Sequence, residues 1–81
     1  MLINEGVEVD AEGLLGETPL TEAVENGNPA VVRLLIAAGA DVNHRTNNGA
    51  TPLAIARDLQ ERFGGSYGKI VELLVRAGAG E

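Results

Sequence analysis

The chain has 81 residues, 12 acidic and six basic side chains, a net charge of −6 and no cysteine. Its length supports one domain at most, and disulfides and thiolate metal sites are excluded. No apolar run approaches the roughly 18 residues of a membrane-spanning helix and no stretch reads as a signal peptide, so a cytoplasmic location is expected.

Residues 1–4 read as the last turn of a helix. Gly6 then stands where a helix C-cap belongs, as Gly39 and Gly78 do, because glycine tolerates the left-handed conformation found there. Residues 7–17 read as an extended connection, a candidate β-hairpin with Gly13 and Gly16 at its turn. Thr18-Pro19 is a helix start, a hydroxyl N-cap followed by proline at the first helical position. That helix is expected to run to Glu25 or Asn26 and stop at Gly27. Asn28-Pro29 repeats the start signal, and a second helix follows to about Ala38. Its apolar face (Val31, Val32, Leu34, Leu35 and Ile36) is too wide to be left in water and must pack on a neighbouring unit.

Thr18-Pro19-Leu20 returns as Thr51-Pro52-Leu53, 33 residues later, and the same shift carries Gly6 onto Gly39 and Val9 onto Val42. A fixed period of this size marks stacked copies of one small unit. The second copy is longer: 21 residues separate Thr18 from Gly39, but 27 separate Thr51 from Gly78. The six extra residues fall between its two helices, predicted as Leu53 to about Phe63 and Lys69 to Ala77. Gly64-Gly65-Ser66-Tyr67-Gly68 is read as a flexible break between them. The two aromatic residues of the chain, Phe63 and Tyr67, both lie in this insertion. Phe63 either folds over the exposed edge of the last unit as a cap or serves as a contact. Tyr67 is a candidate contact, since aromatics are enriched among interface hot spots.

The residues for catalysis are sparse. His44 is the only histidine and is expected as a surface turn residue; Ser66 is the only serine and has no nucleophile-elbow motif around it. The run from Gly64 to Lys69 has some character of a phosphate loop, but its glycine spacing is too short and Ile70 stands where Ser or Thr would hold magnesium. The carboxylates lack the spacing of a Ca²⁺ loop. No enzyme, cofactor or metal site is expected. Charge is uneven: residues 1–32 carry seven acids and no base, net −7, and the remainder is net +1. No basic stripe exists to neutralise phosphates, so neither nucleic acid nor membrane is an expected partner.

Gly16, Thr18, Pro19, Leu20, Ala23, Gly27, Val31, Val32, Leu34, Leu35, Gly39, Ala40, Asp41, Val42 and Asn43 match the ankyrin repeat pattern. The second copy matches it through Gly49, Thr51, Pro52, Leu53, Ala56, Val71, Leu73, Leu74, Gly78 and Ala79. The chain therefore resembles the ankyrin repeat family along nearly its whole length. The resemblance implies an all-α solenoid of stacked antiparallel helix pairs with β-hairpin-like connections, a single domain over residues 1–81. Residues 1–15 would be a partial repeat, 16–48 a repeat, and 49–81 a repeat with the insertion.

The family's histidine after Thr-Pro-Leu is Thr21 in the first copy, whose hydroxyl can keep the local hydrogen bonding, and Ala54 in the second, where it is lost. Asp10 replaces the usual Asn that Asn43 retains. Arg57 replaces the small or apolar residue matching Val24, so the second unit is expected to pack differently on that side.

The resemblance further implies a non-catalytic protein-binding module that meets its partner through hairpin tips and first helices. Carried over by position, the tips are Glu12, Leu14, Leu15 and Glu17, then Arg45, Asn47, Asn48 and Ala50. The first-helix positions are Glu22, Glu25 and Asn26, then Ile55, Asp58 and Leu59. Leu14 and Leu15 either pack down on the helix beneath them or form a contact for a partner or a second copy. With about two and a half repeats and Leu2 and Ile3 lacking a complete core, a homodimer through the open N-terminal edge is also expected. Two alternatives stay open. The chain is a terminal structural piece of a longer array, or an acidic inhibitor occupying a basic site on a partner enzyme.

Overall fold

In the computed structural model, residues 10–79 are described. The half-helix at 1–4, the cap at Gly6, the start of the connection at 7–9 and the Leu2–Ile3 edge lie outside the described residues, as does the side chain of Leu14. Four helices follow one another: α1 (Pro19–Glu25), α2 (Pro29–Ala37), α3 (Pro52–Phe63) and α4 (Ser66–Arg76). They form two antiparallel pairs, α1 with α2 and α3 with α4, and the pairs stack with α1 on α3 and α2 on α4. This is the expected all-α solenoid.

The starts of α1, α2 and α3 are written in the local sequence. Thr18 caps α1 by accepting from the Thr21 N–H at 3.3 Å, and the Thr21 hydroxyl accepts in return from the Thr18 N–H at 2.8 Å. The same hydroxyl donates to the Thr18 carbonyl at 2.9 Å, so Thr21 makes local hydrogen bonds at this helix start. Both threonines are fully buried. Thr51 caps α3 by accepting from the Ala54 N–H at 3.2 Å, but Ala54 has no group to answer with. Asn28 caps α2 through its side-chain oxygen, 3.3 Å from the Val31 N–H. Such caps contribute about 1 kcal/mol each.

The closing turns of the two units are near copies. Ala40 N–H bonds the Leu35 carbonyl at 3.0 Å and Ala79 N–H bonds the Leu74 carbonyl at 2.9 Å. Gly39 and Gly78, both at φ +94°, sit in the left-handed cap position expected of them.

One continuous core runs between the pairs: Leu20, Ala23, Val24, Val32, Leu35, Ala40, Leu53, Ala56, Ile70 and Leu74 are all buried. Burial of a Leu or Ile side chain contributes about 1.5–3 kcal/mol, so this stripe, rather than helix propensity, holds helices as short as α1.

The insertion differs from expectation. The predicted five-residue break shrinks to Gly64–Gly65, and α4 starts at Ser66 rather than Lys69. The cause is anchoring to the first unit: Ser66 Oγ donates to the Gly27 carbonyl at 2.8 Å, and Tyr67 OH donates to the Glu25 carbonyl at 3.2 Å. The Tyr67 ring lies against Gly27, where a Cβ would stand 3.1 Å from the ring. The additional residues therefore extend the helices, 12 residues in α3 against seven in α1, and 11 in α4 against nine in α2. Phe63 is 70% exposed and touches the Tyr67 ring at 6.3 Å between centroids, so it does not fold over the edge as a cap.

The connections contain no strand among the described residues. They are hairpin-like in their tips alone: Gly13 N–H bonds the Glu17 carbonyl at 2.7 Å in the first, and Thr46 N–H bonds the Ala50 carbonyl at 2.9 Å in the second.

Candidate partner-binding face

The two tips sit side by side because the helix pairs beneath them are stacked. The Asn47 N–H of the second tip donates to the Leu15 carbonyl of the first at 3.0 Å. His44 Nε2 lies 2.8 Å from the Gly16 carbonyl, and since a carbonyl can only accept, the imidazole carries its proton on Nε2. The same nitrogen lies 3.9 Å from a Glu12 carboxylate oxygen. His44 is thus half-buried and ties the tips together, where the sequence suggested a plain surface turn residue.

Between these bonds stands Leu15. Its φ is +65°, the one left-handed non-glycine residue among those described, and its side chain is 70% exposed. A leucine in this conformation costs about 1–2 kcal/mol. The bonds to its own carbonyl and to the next one hold it there. Gly16 follows at φ +72°, where a Cβ would run into the Asn47 side chain. Of the two outcomes considered for Leu15, packing down on the helix is ruled out by its exposure.

The acidic residues gather beside this tip. Glu12, Glu22 and Glu25 are exposed and Glu17 is half-buried. Glu25 has its pKa raised above the ordinary carboxylate value, first by partial burial of the carboxyl, then by the charge of Glu17, a side-chain hydrogen bond with Glu17, and the charge of Glu22. Loss of hydration and crowding by like charge both disfavour the ionised carboxylate, and a hydrogen bond between two carboxyls adds to this because it requires a proton on one of them.

The remaining predicted positions divide. Asn26, Arg45, Asn47 and Asn48 are exposed, with the last bonded to the Thr46 hydroxyl inside its own turn. Asp58 is exposed on α3 and pairs with Arg62 at 3.2 Å. Tyr67 does not join the tips: it is half-buried and binds the C-terminal end of α1, whose N-terminal end carries the tips. His44 and Ser66, which sequence reasoning left idle, make contacts across 28 and 39 residues of chain. No local signal marks such a reach. Among the described residues, no group of three or more His, Cys, Asp or Glu could hold a metal ion, and no helix is long and apolar enough to cross a membrane.

Comparison with known proteins places this geometry. A family model described as "Ankyrin repeats (3 copies)" matches residues 1–80. The mouse B-cell lymphoma 3 protein homolog is 35% identical over 80 residues, 98% of this chain and 16% of that protein. The mouse 2-5A-dependent ribonuclease is 45% identical over 56 residues, 68% of this chain and 8% of that protein. A mimivirus protein, the putative ankyrin repeat protein L271, is 35% identical over 57 residues, 70% of this chain and again 8% of its relative. The chain thus spans a small part of the relatives it matches. Among solved structures, the human ASB11 ankyrin repeat domain superposes with a TM-score of 0.73 at 31% identity, over 94% of this chain and 32% of that one.

Proposed function

The chain belongs to the ankyrin repeat family, whose repeats are protein–protein interaction modules, and we propose that it binds another protein through its paired tips and the α1 face. The observation that carries this reading is Leu15. An apolar side chain exposed at a strained backbone position and fixed by bonds from the neighbouring tip is a pre-organised anchor, with little ordering left to do on binding. Around it Glu12, Glu17, Glu22 and Glu25 present negative charge without an adjacent base from the same segment. The partner surface is accordingly basic with an apolar side chain at its centre. The raised pKa of Glu25 supports this, because a cation set among these carboxylates relieves their mutual repulsion. The module works by contact alone, and the acidic residues tune approach rate and partner choice.

A peptide-display selection against the immobilised chain tests the reading. Peptides that survive selection are expected to pair Lys or Arg with a large apolar residue. Their binding should fall at least tenfold on Leu15→Ser and on Glu22→Lys, and persist on Phe63→Ser. Binders indifferent to Leu15 and Glu22 would remove the tips and α1 as the contact face.

A further inference from the structure

An asparagine followed by glycine is a step at which the backbone can react with its own side chain. The glycine nitrogen has no neighbouring Cβ to screen it, and glycine lets the chain bend into the ring that forms. The sequence contains two such steps, Asn26-Gly27 and Asn48-Gly49. Both asparagines are exposed, so access to water does not separate them. Both glycines have left-handed backbones, φ +68° and +84°. Both glycine amides are also bonded, Gly27 N–H to the Val24 carbonyl at 3.0 Å and Gly49 N–H to the Thr46 carbonyl at 2.8 Å. Either nitrogen must leave its bond before it can attack, and the two steps differ in what that opening breaks.

Asn26-Gly27 is clamped from the other unit. Tyr67 OH donates to the Glu25 carbonyl on one side of Asn26, and Ser66 Oγ donates to the Gly27 carbonyl on the other. The Tyr67 ring lies against Gly27, and the Asn26 and Asn28 N–H groups bond the Glu22 and Ala23 carbonyls at 2.9 and 3.2 Å. Freeing this step means parting α4 from the end of α1. Asn48-Gly49 stands at the second tip, and a Cβ on Gly49 would meet nothing within 4 Å. Its turn is closed by the Gly49 amide bond and by the Thr46 hydroxyl, which donates to Asn48 Oδ1. Such a tip opens at little cost while the rest of the fold stays closed.

We propose that Asn48 is a site of spontaneous deamidation in the folded protein, and that Ser66 and Tyr67 protect Asn26 from the same reaction. The Gly49 nitrogen gives its proton to solvent and bonds to Asn48 Cγ. The Cγ–Nδ2 bond breaks, the side-chain nitrogen takes up a proton and leaves as ammonia, and a succinimide ring remains. Water then opens either ring carbonyl, leaving an aspartate or an isoaspartate at position 48, the latter with its main chain routed through Cβ. Water is the one co-reactant, and nothing is oxidised or reduced. Either product sets a new carboxylate on the second tip. The isoaspartate also lengthens the main chain beside Asn47, whose N–H holds the Leu15 carbonyl. The reaction stands or falls independently of the proposed partner.

The test is incubation of the whole chain near neutral pH in water enriched in heavy oxygen, with tandem mass spectrometry of its tryptic peptides over time. Each conversion incorporates one heavy oxygen, so the rate is read separately at Asn26 and Asn48. The same measurement in urea that unfolds the chain supplies each site's unprotected rate. Folding is expected to slow Asn26 by at least about tenfold more than it slows Asn48, the difference between a clamped segment and an open tip. Equal slowing at both sites, or no conversion at Asn48 in the folded chain, overturns the proposal. Ser66→Ala combined with Tyr67→Phe is expected to raise the Asn26 rate at least about tenfold and leave the Asn48 rate unchanged. An Asn26 rate that does not move refutes the protection by Ser66 and Tyr67. Far-UV circular dichroism reports whether the double variant is folded, and Ser66→Ala alone repeats the comparison should it lose helicity.

Discussion

Replacing Thr21 by valine removes one hydroxyl and keeps the shape of the side chain. That hydroxyl accepts from the Thr18 N–H at 2.8 Å and donates to the Thr18 carbonyl at 2.9 Å, with both residues fully buried. The net value of a hydrogen bond is about 1 kcal/mol, and a buried donor left without a partner costs about 1–3 kcal/mol. The Thr18 N–H would be such a donor, so Thr21→Val is expected to destabilise by about 2–3 kcal/mol. Thr21→Ser keeps the hydroxyl and loses one buried methyl, at about 1 kcal/mol. Urea denaturation followed by far-UV circular dichroism reads the difference. With a slope of about 1 kcal/mol per molar urea, the valine variant's midpoint should fall by about 2–3 M and the serine variant's by about 1 M. A valine variant as stable as wild type, or more stable than the serine variant, would refute the claim that the reciprocal bond holds this helix start.

Gly27→Ala is expected to cost about 2 kcal/mol, since a left-handed position at φ +68° gains a side chain 3.1 Å from the Tyr67 ring. Tyr67→Phe in the same background removes the hydroxyl but leaves ring carbons 3.1 and 3.2 Å from the new Cβ, so it should recover little of the loss, and a thermal melt of the two variants checks this. The raised Glu25 pKa gives a stability term of unusual sign. The folded state holds its proton more tightly than the unfolded one, so this term weakens the fold as pH rises from the ordinary carboxylate value through the raised one. Glu25→Gln should flatten that part of the stability–pH curve, read by urea midpoints across the acidic range. Asn47→Pro removes the N–H that the Leu15 carbonyl accepts from, and amide chemical shifts should then move at Leu15 and Gly16 while those of the α4 core residues stay in place.

Much of the fold is legible because each unit states its own boundaries. Thr18-Pro19, Asn28-Pro29 and Thr51-Pro52 start α1, α2 and α3 within one residue of the structure, and Gly39 and Gly78 close α2 and α4. These are local signals, fixed by caps and left-handed turns. The fourth helix start escaped such reading because Gly65 offers no side-chain cap; α4 begins at Ser66 through contacts to Glu25 and Gly27 on the other unit. Phe63 and Tyr67 show the same limit. Four residues apart in the insertion and in ring contact, they still differ, one ring exposed and the other half-buried, according to which can reach Gly27.

The candidate face was partly legible. The tip positions follow from the repeat register, and the acidic run before Leu20 is plain in the sequence. The left-handed backbone of Leu15 was not, because leucine carries no preference for it. It is imposed by Asn47 and His44 from the second connection, and only the stacked structure brings those groups within reach.

The proposed partner meets this chain at the tips and α1. The direct measurement is an amide chemical-shift titration of the labelled chain with a display-selected basic peptide. Saturable shifts centred on Leu15, Glu22, Glu25 and Asn47 are expected, with Phe63 and Val75 unmoved. Shifts centred on Phe63, or on Val71 and Val75, with the tips silent would contradict this placement.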